Sequence, residues 1–195
     1  MWAGAGSDRL GGDEGDDILG GGTGNDTAFG YDGDDIFYMN TGTDEVGGFD
    51  DNDTIFGGSG SDSVLGGLQG DDGDDVIFGG ESNDVIGGGD GDDPLYAGQG
   101  DDTLYGDAGD DIYFFNDAVG HNTINGFAGA GTTGGTEEDL IDLSSFNIDF
   151  SDIDLGHMAD GTANANAISI TGVDDFDIVL TGVTATTLTE GDFIL

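Results

Sequence analysis

The chain has 195 residues, with one basic residue against 43 acidic ones and a formal charge of −42. A polyanion of this density repels nucleic acid and anionic membrane surfaces, which excludes both as direct partners. Cysteine is absent and 42 residues are glycine, so no disulfide or thiolate site holds the fold and ordering the backbone carries a large entropic cost.

Met1-Trp2-Ala3-Gly4-Ala5-Gly6-Ser7-Asp8 opens the chain without a basic segment or an apolar run, and does not read as a general secretory signal peptide. No later stretch approaches the roughly 20 apolar residues of a membrane-spanning helix, so no membrane insertion is expected. From residue 3 a nine-residue period takes over. Aspartate recurs as Asp8, Asp17, Asp26, Asp35, Asp44, Asp53 and Asp62, then after a four-residue slip as Asp75, Asp84, Asp93, Asp102 and Asp111. Two residues earlier stand Gly6, Gly15, Gly24, Gly33, Gly42, Gly60, Gly73, Gly91, Gly100 and Gly109, with Asp51 and Ser82 breaking the column. Two residues later stands an apolar side chain, from Leu10 and Leu19 to Leu104 and Tyr113, small only at Ala28. The position five before each aspartate is again mostly glycine, except at Ala3, Met39 and Ala97. A fixed short period of this kind means one unit stacked many times.

Within the unit, six residues rich in glycine and aspartate read as a tight turn and the last three as a strand. Only the middle residue of the triplet is reliably apolar; neighbours such as Thr27, Tyr38, Thr54, Thr103 and Tyr105 point to the other face. One buried side chain cannot fold a nonapeptide alone, so the pattern predicts an all-β stack. The turn brings carbonyls and a carboxylate together, a set of hard oxygens that suits Ca²⁺ and not zinc. A second column, Asp16, Asn25, Asp34, Asn52, Asp74, Asn83, Asp92, Asp101 and Asp110, reads as turn hydrogen bonding or loose cation acceptance.

The best-formed units, Gly57-Gly58-Ser59-Gly60-Ser61-Asp62-Ser63-Val64-Leu65 and Gly21-Gly22-Thr23-Gly24-Asn25-Asp26-Thr27-Ala28-Phe29, resemble the nonapeptide Gly-Gly-x-Gly-x-Asp-x-(apolar)-x of the RTX family of bacterial secreted proteins. The resemblance covers residues 3–114. It implies a right-handed parallel β-roll in which two repeats make one coil, with a C-terminal β cap. It also implies calcium between stacked turns, held by aspartates of both turns and by backbone carbonyls of the first four turn positions. Carried onto this chain, the metal ligands are the twelve repeat aspartates named above with Gly22, Gly24, Gly33, Gly42, Gly58, Gly60, Gly73, Gly91, Gly100 and Gly109. Asp26 and Asp44 would share one ion and Asp35 and Asp53 another on the opposite edge, up to about ten ions in all. The insertion Gly66-Gly67-Leu68-Gln69 interrupts the stack, which leaves the links from Asp53 or Asp62 to Asp75 or Asp84 as the weakest expected.

Residues 115–195 read as a capping region. Leu140-Ile141-Asp142-Leu143, Ala167-Ile168-Ser169-Ile170 and Asp177-Ile178-Val179-Leu180 read as strands, the last two a hairpin around Gly172-Val173-Asp174-Asp175. Gly120-His121-Asn122-Thr123-Ile124 and Asp139-Leu140-Ile141-Asp142-Leu143-Ser144 resemble the segment after the roll in serralysin-type exported proteins, with Asn122 where aspartate is usual. Asp192-Phe193-Ile194-Leu195 resembles the acidic-then-apolar ending read by type I secretion machinery.

His121 and His157 stand alone, and no His-Glu-x-x-His or Gly-x-Ser-x-Gly motif occurs, so no enzymatic chemistry is expected. An ice-binding face would need a flat row of Thr or Asn. The column three before each aspartate runs Ala5, Glu14, Thr23, Asp32, Thr41, Asp50, Ser59, Asp72, Glu81, Asp90, Gln99, Ala108, and reads as no row. Extracellular calcium modules bind at roughly 10⁻⁴ to 10⁻³ M. The chain is therefore expected to stay unfolded inside a cell and to fold on calcium outside it, secreted through type I machinery. The alternatives are an accessory module of a larger exported protease, lipase or polysaccharide epimerase, or a module that binds polysaccharide or a cell surface.

Overall fold

An apolar residue at every ninth position leaves water only if successive units double back on one another, and the chain does this with two parallel sheets that face each other. The computed structural model describes residues 1–65, 73–116, 120–128, 138–157, 163–181 and 188–195. The strands begin with β1 (Trp2–Ala5), β2 (Arg9–Glu14), β3 (Ile18–Thr23), β4 (Thr27–Asp32), β5 (Ile36–Thr41), β6 (Glu45–Asp50) and β7 (Thr54–Ser59). They continue as β8 (Ser63–Leu65), β9 (Val76–Glu81), β10 (Val85–Asp90), β11 (Pro94–Gln99), β12 (Thr103–Ala108), β13 (Ile112–Phe114), β14 (Gly120–Asn125) and β15 (Leu140–Asp142). The last are β16 (Ile153–His157), β17 (Ala163–Ile170), β18 (Phe176–Thr181) and β19 (Phe193–Ile194).

Up to β15 the odd strands form one sheet and the even strands the other. Each pairs in parallel with the next but one, as Leu19 with Phe37 and Phe37 with Ile55. Two nonapeptides therefore make one coil of a parallel β-roll. The insertion at 66–69 lies outside the described residues, yet β7 still pairs with β9 and β8 with β10 across it.

The apolar column lines the space between the sheets: Leu19, Phe37, Ile55, Ile77, Leu95 and Tyr113 from one, Ala28, Val46, Ile86 and Leu104 from the other, all buried. Each large side chain contributes about 1.5–3 kcal/mol when fully buried, and only a stacked neighbour completes that burial. The glycine column five residues before each aspartate faces inward too. A Cβ on Gly30 would lie 2.0 Å from Asp35 Oδ2, and one on Gly106 would lie 1.9 Å from Asp111 Oδ2. The next aspartate occupies the space a side chain would fill.

Two expectations need correction. Most repeat strands are six residues long, not three, because the glycine-rich positions after the triplet keep their backbone pairing with the coil 18 residues away, as Gly22 with Asn40. That pairing depends on peptide groups and not on side chains. The roll also runs past Tyr113. β14 stacks on β12 with Ile124 over Leu104, and β15 stacks on β13 with Ile141 over Tyr113.

The cap grows out of both sheets. β18 pairs in parallel with β14 and antiparallel with β17, forming the hairpin expected around Gly172, and β16 adds a further antiparallel strand. β19 closes the odd sheet against β15, with the Leu143 N–H donating to Ile194 O at 2.9 Å. Phe193 is buried and its ring lies 5.7 Å from that of Phe150. Phe193 and Ile194 are therefore a rung of the folded core.

Asp51 and Ser82 occupy the turn-glycine position with φ of 76° and 83°. A Cβ in that region costs about 1–2 kcal/mol, offset in part by the greater unfolded freedom of glycine. Ser82→Gly is expected to stabilise the calcium-loaded roll by about 0.5–1 kcal/mol, read as a higher urea midpoint. A lower midpoint would mean that the serine side chain contributes more than the strain removes.

Candidate metal centre

The repeat aspartates stack in two columns, one on each edge of the roll. On one edge the backbone N–H of Asp17 donates to Oδ1 of Asp35 at 2.7 Å, and Asp35 to Asp53, Asp53 to Asp75, Asp75 to Asp93 and Asp93 to Asp111 at 2.7–3.0 Å. On the other edge Asp8 donates to Asp26, Asp26 to Asp44, Asp44 to Asp62, Asp62 to Asp84 and Asp84 to Asp102 at 2.8–2.9 Å. The links that span the insertion, expected to be weakest, are as short as the rest.

Oδ1 is thus engaged, but Oδ2 is not. In Asp26, Asp35, Asp44, Asp53, Asp62, Asp84, Asp93, Asp102 and Asp111 the second oxygen is buried without a hydrogen-bond donor. An ionised oxygen shut away from water costs several kcal/mol unless a positive charge meets it. Here the situation recurs coil after coil, with like charges above and below. Burial pushes the carboxyls of Asp53 and Asp111 up to about 8, those of Asp84 and Asp93 to about 7, and those of Asp62 and Asp102 to about 6. Asp35 and Asp44 are also raised. The backbone N–H bond to Oδ1 opposes the shift and neighbouring carboxylates add to it. Asp8 and Asp17 lie in the first coil and are only half-buried.

The turn glycines named from the sequence stand beside these columns. A Cβ would lie 2.0 Å from Gly6 O at Gly24, 1.9 Å from Gly24 O at Gly42 and 1.5 Å from Gly42 O at Gly60. Gly22, Gly58, Gly73, Gly91, Gly100 and Gly109 meet the carbonyls of Gly4, Asn40, Asp51, Gly73, Ser82 and Gly91 as closely, and Gly33 lies against Gly15. Only bare glycine lets the carbonyl of one turn lie this close over the Cα of the turn stacked on it. The edge therefore concentrates carboxylate and carbonyl oxygens with no nitrogen or sulfur donor. That donor set, with its orphaned Oδ2 atoms, fits a hard divalent cation such as Ca²⁺.

The ends of both columns were not read from the sequence. Asn122 Oδ1 accepts from Asp102 N–H at 3.0 Å, and Asp139 accepts from Asp111 N–H at 3.2 Å through Oδ1 and from Ala128 N–H at 2.7 Å through Oδ2. One terminal residue is neutral and the other has both carboxylate oxygens bonded to backbone N–H groups. The pattern Gly120-x-Asn122-x-Ile124 could have disclosed this, but the spacings of 20 and 28 residues hide it from a nine-residue frame.

The outer column does turn bonding. Asp34 N–H donates to Asp16 Oδ1 at 3.3 Å, Asn52 N–H to Asp34 at 3.0 Å and Asp74 N–H to Asn52 at 2.7 Å. The inner carboxylates accept from the coil before and the outer ones from the coil after, so each turn is tied in both directions. His121 Nδ1 pairs with the buried Asp177 Oδ2 and joins β14 to β18, a structural contact that raises the imidazole above its ordinary range.

The family profile of the RTX calcium-binding nonapeptide repeat (4 copies) matches residues 1–19, 11–46, 47–68, 68–93 and 87–117, which together span more than half of the chain. No curated protein matches it.

Proposed function

Because the chain belongs to the RTX calcium-binding repeat family, and so carries a calcium-binding module of the type I secretion substrate kind, we propose that calcium decides whether its roll folds and that folding waits until the chain has been exported. The supporting observation is the row of nine buried Oδ2 atoms without donors. The ligands are Oδ2 of stacked aspartates such as Asp35 with Asp53 and Asp44 with Asp62, joined by carbonyls of the turn glycines. Bound calcium supplies the positive charge these columns lack, at up to about ten stacked pairs. At resting cytosolic calcium the columns stay ionised and mutually repelled, which keeps the chain open for passage through a secretion channel. Asp192 to Leu195 serve as the C-terminal signal in that open state. Once folded, the same residues close the odd sheet. The roll is a structural module and not a catalytic one.

The test separates the charge of the ligand from its hydrogen bond. Asp35→Asn keeps an oxygen to accept from Asp17 N–H but removes the anionic Oδ2, whereas Asp34→Asn keeps the acceptor for Asn52 and alters only an exposed charge. The calcium midpoint of folding, followed by circular dichroism, is expected to rise at least several-fold for Asp35→Asn and to stay near wild type for Asp34→Asn. Equal midpoints would remove the inner column from the metal sites.

A further inference from the structure

The two sheets of the roll present different outer faces. On the odd sheet, Tyr38, Phe56, Phe78, Tyr96 and Phe114 stack into one ridge, with centroids 4.2–5.1 Å apart and planes within 14°. Trp2 reaches over Gly20 to extend it, 6.0 Å from Tyr38. Beside the ridge runs a shelf of Gly22, Gly58, Gly80 and Gly98, interrupted in β5 by Asn40, whose side-chain amide donates back to Tyr38 O at 3.0 Å, and beyond it a column of Thr23, Thr41, Ser59, Glu81 and Gln99. Glu81 is the one charged residue in β1, β3, β5, β7, β9, β11 and β13. On the even sheet the corresponding outer column is Glu14, Asp32, Asp50 and Asp90. Tyr31, Val85 and Tyr105 are exposed on that sheet, where Tyr31 adjoins Asp32 and stacks on Phe49 at 5.2 Å.

We propose that the odd-sheet face is a self-association surface on which two folded copies pack face to face. Three features select a second copy as the occupant. A chain of formal charge −42 stays strongly acidic even with about ten Ca²⁺ bound and can approach its like only through a face nearly free of charge, as this face is. Its relief is self-complementary: a twofold axis parallel to the roll, between the third and fifth residues of each strand, sets the ridge of each copy over the glycine shelf of the other. The rings spend their faces on one another and turn their edges outward, a shape that fits a shallow shelf better than it fits a flat sugar ring. Five six-residue strands each about 20 Å long, with the shorter β1 and β13 at either end, all about 4.8 Å apart, offer about 600 Å² per copy. A standard protein interface buries roughly 800 Å² per partner, so the dimer is reversible.

The test is sedimentation velocity on the full chain in millimolar calcium, with circular dichroism on the same samples to establish folding. Wild type is expected to sediment as a dimer that dissociates on dilution. Thr23→Asp, Thr41→Asp and Ser59→Asp together give the odd sheet the acidic column that the even sheet already accommodates at Glu14, Asp32 and Asp50. This triple variant is expected to keep the calcium-induced spectrum and to weaken dimerisation at least tenfold. Should it not fold, the single exposed Thr41→Asp substitution is expected to weaken the dimer in the same direction. A folded wild type that stays monomeric, or variants that fold and dimerise undiminished, would overturn the proposal. A folded monomer retained on a neutral polysaccharide matrix, with retention lost in the variant, would overturn it too by giving the face to a glycan. A chain that does not fold in calcium would instead contradict calcium-dependent folding.

Discussion

In metal-stripped buffer at neutral pH the chain is expected to give the circular dichroism of a disordered polymer, and to gain its full β signal cooperatively as calcium rises into the millimolar range. The opposing terms are large. Forty-two glycines must be ordered and 43 acidic residues gathered against a single basic one. The compensating burial amounts to one large apolar side chain per nonapeptide, such as Leu19 or Ile55. Nine buried Oδ2 atoms have no donor, so the cation-free fold carries an additional desolvation cost at most rungs. An ion between two coils removes that cost from both at once, and because each coil contacts only its neighbours, occupancy spreads along the stack. Magnesium is expected to replace calcium poorly, since it dehydrates reluctantly and demands near-octahedral geometry. Identical spectra with and without calcium would contradict the coupling.

The second large effect concerns protons. Without metal, acidification is expected to fold the roll, because protonation also removes the unmet charge of Oδ2. In the folded state Asp53 and Asp111 titrate at about 8, Asp84 and Asp93 at about 7, and Asp62 and Asp102 at about 6, raised first by burial. The unfolded values lie near 4. A folded pKa above the unfolded one means that the native state binds protons more tightly. Its contribution to stability is therefore complete below about pH 4 and is lost as pH rises through about 6 to 8. Metal-stripped chain is expected to show β structure near pH 4 and to lose it by pH 8. The comparison should be made at low protein concentration, where the spectrum does not depend on concentration. A flat, disordered spectrum from pH 8 to 4 would show that the buried carboxyls do not oppose folding.

Much of this was legible because the repeat is strict. The repeat aspartates, the apolar column and the turn glycines fall where a nine-residue frame puts them, and among the described residues each of these sequence columns divides into two lines, one for each sheet or edge of the roll. Three features escaped that frame. Asn122 and Asp139 extend the aspartate columns, but longer connections place them 20 and 28 residues on. The six-residue strands escaped because backbone pairing holds glycine positions that side-chain preference assigns to turns. The third is the sorting of the outer faces. Thr23, Thr41, Ser59 and Gln99 alternate in sequence with Glu14, Asp32, Asp50 and Asp90, so a column read at every ninth residue is mixed. Two repeats make one coil, and reading every eighteenth residue separates a neutral face from an acidic one.

The role of the inner columns is tested most directly by anomalous diffraction from crystals of the calcium-loaded chain. Calcium peaks are expected between successive coils beside Oδ2 of Asp35 and Asp53 on one edge and of Asp44 and Asp62 on the other, repeating along both columns and ending before Asn122 and Asp139. A folded chain with peaks only along the outer column of Asp16, Asp34 and Asn52, or with none at either edge, would contradict the assignment of these aspartates as the calcium ligands.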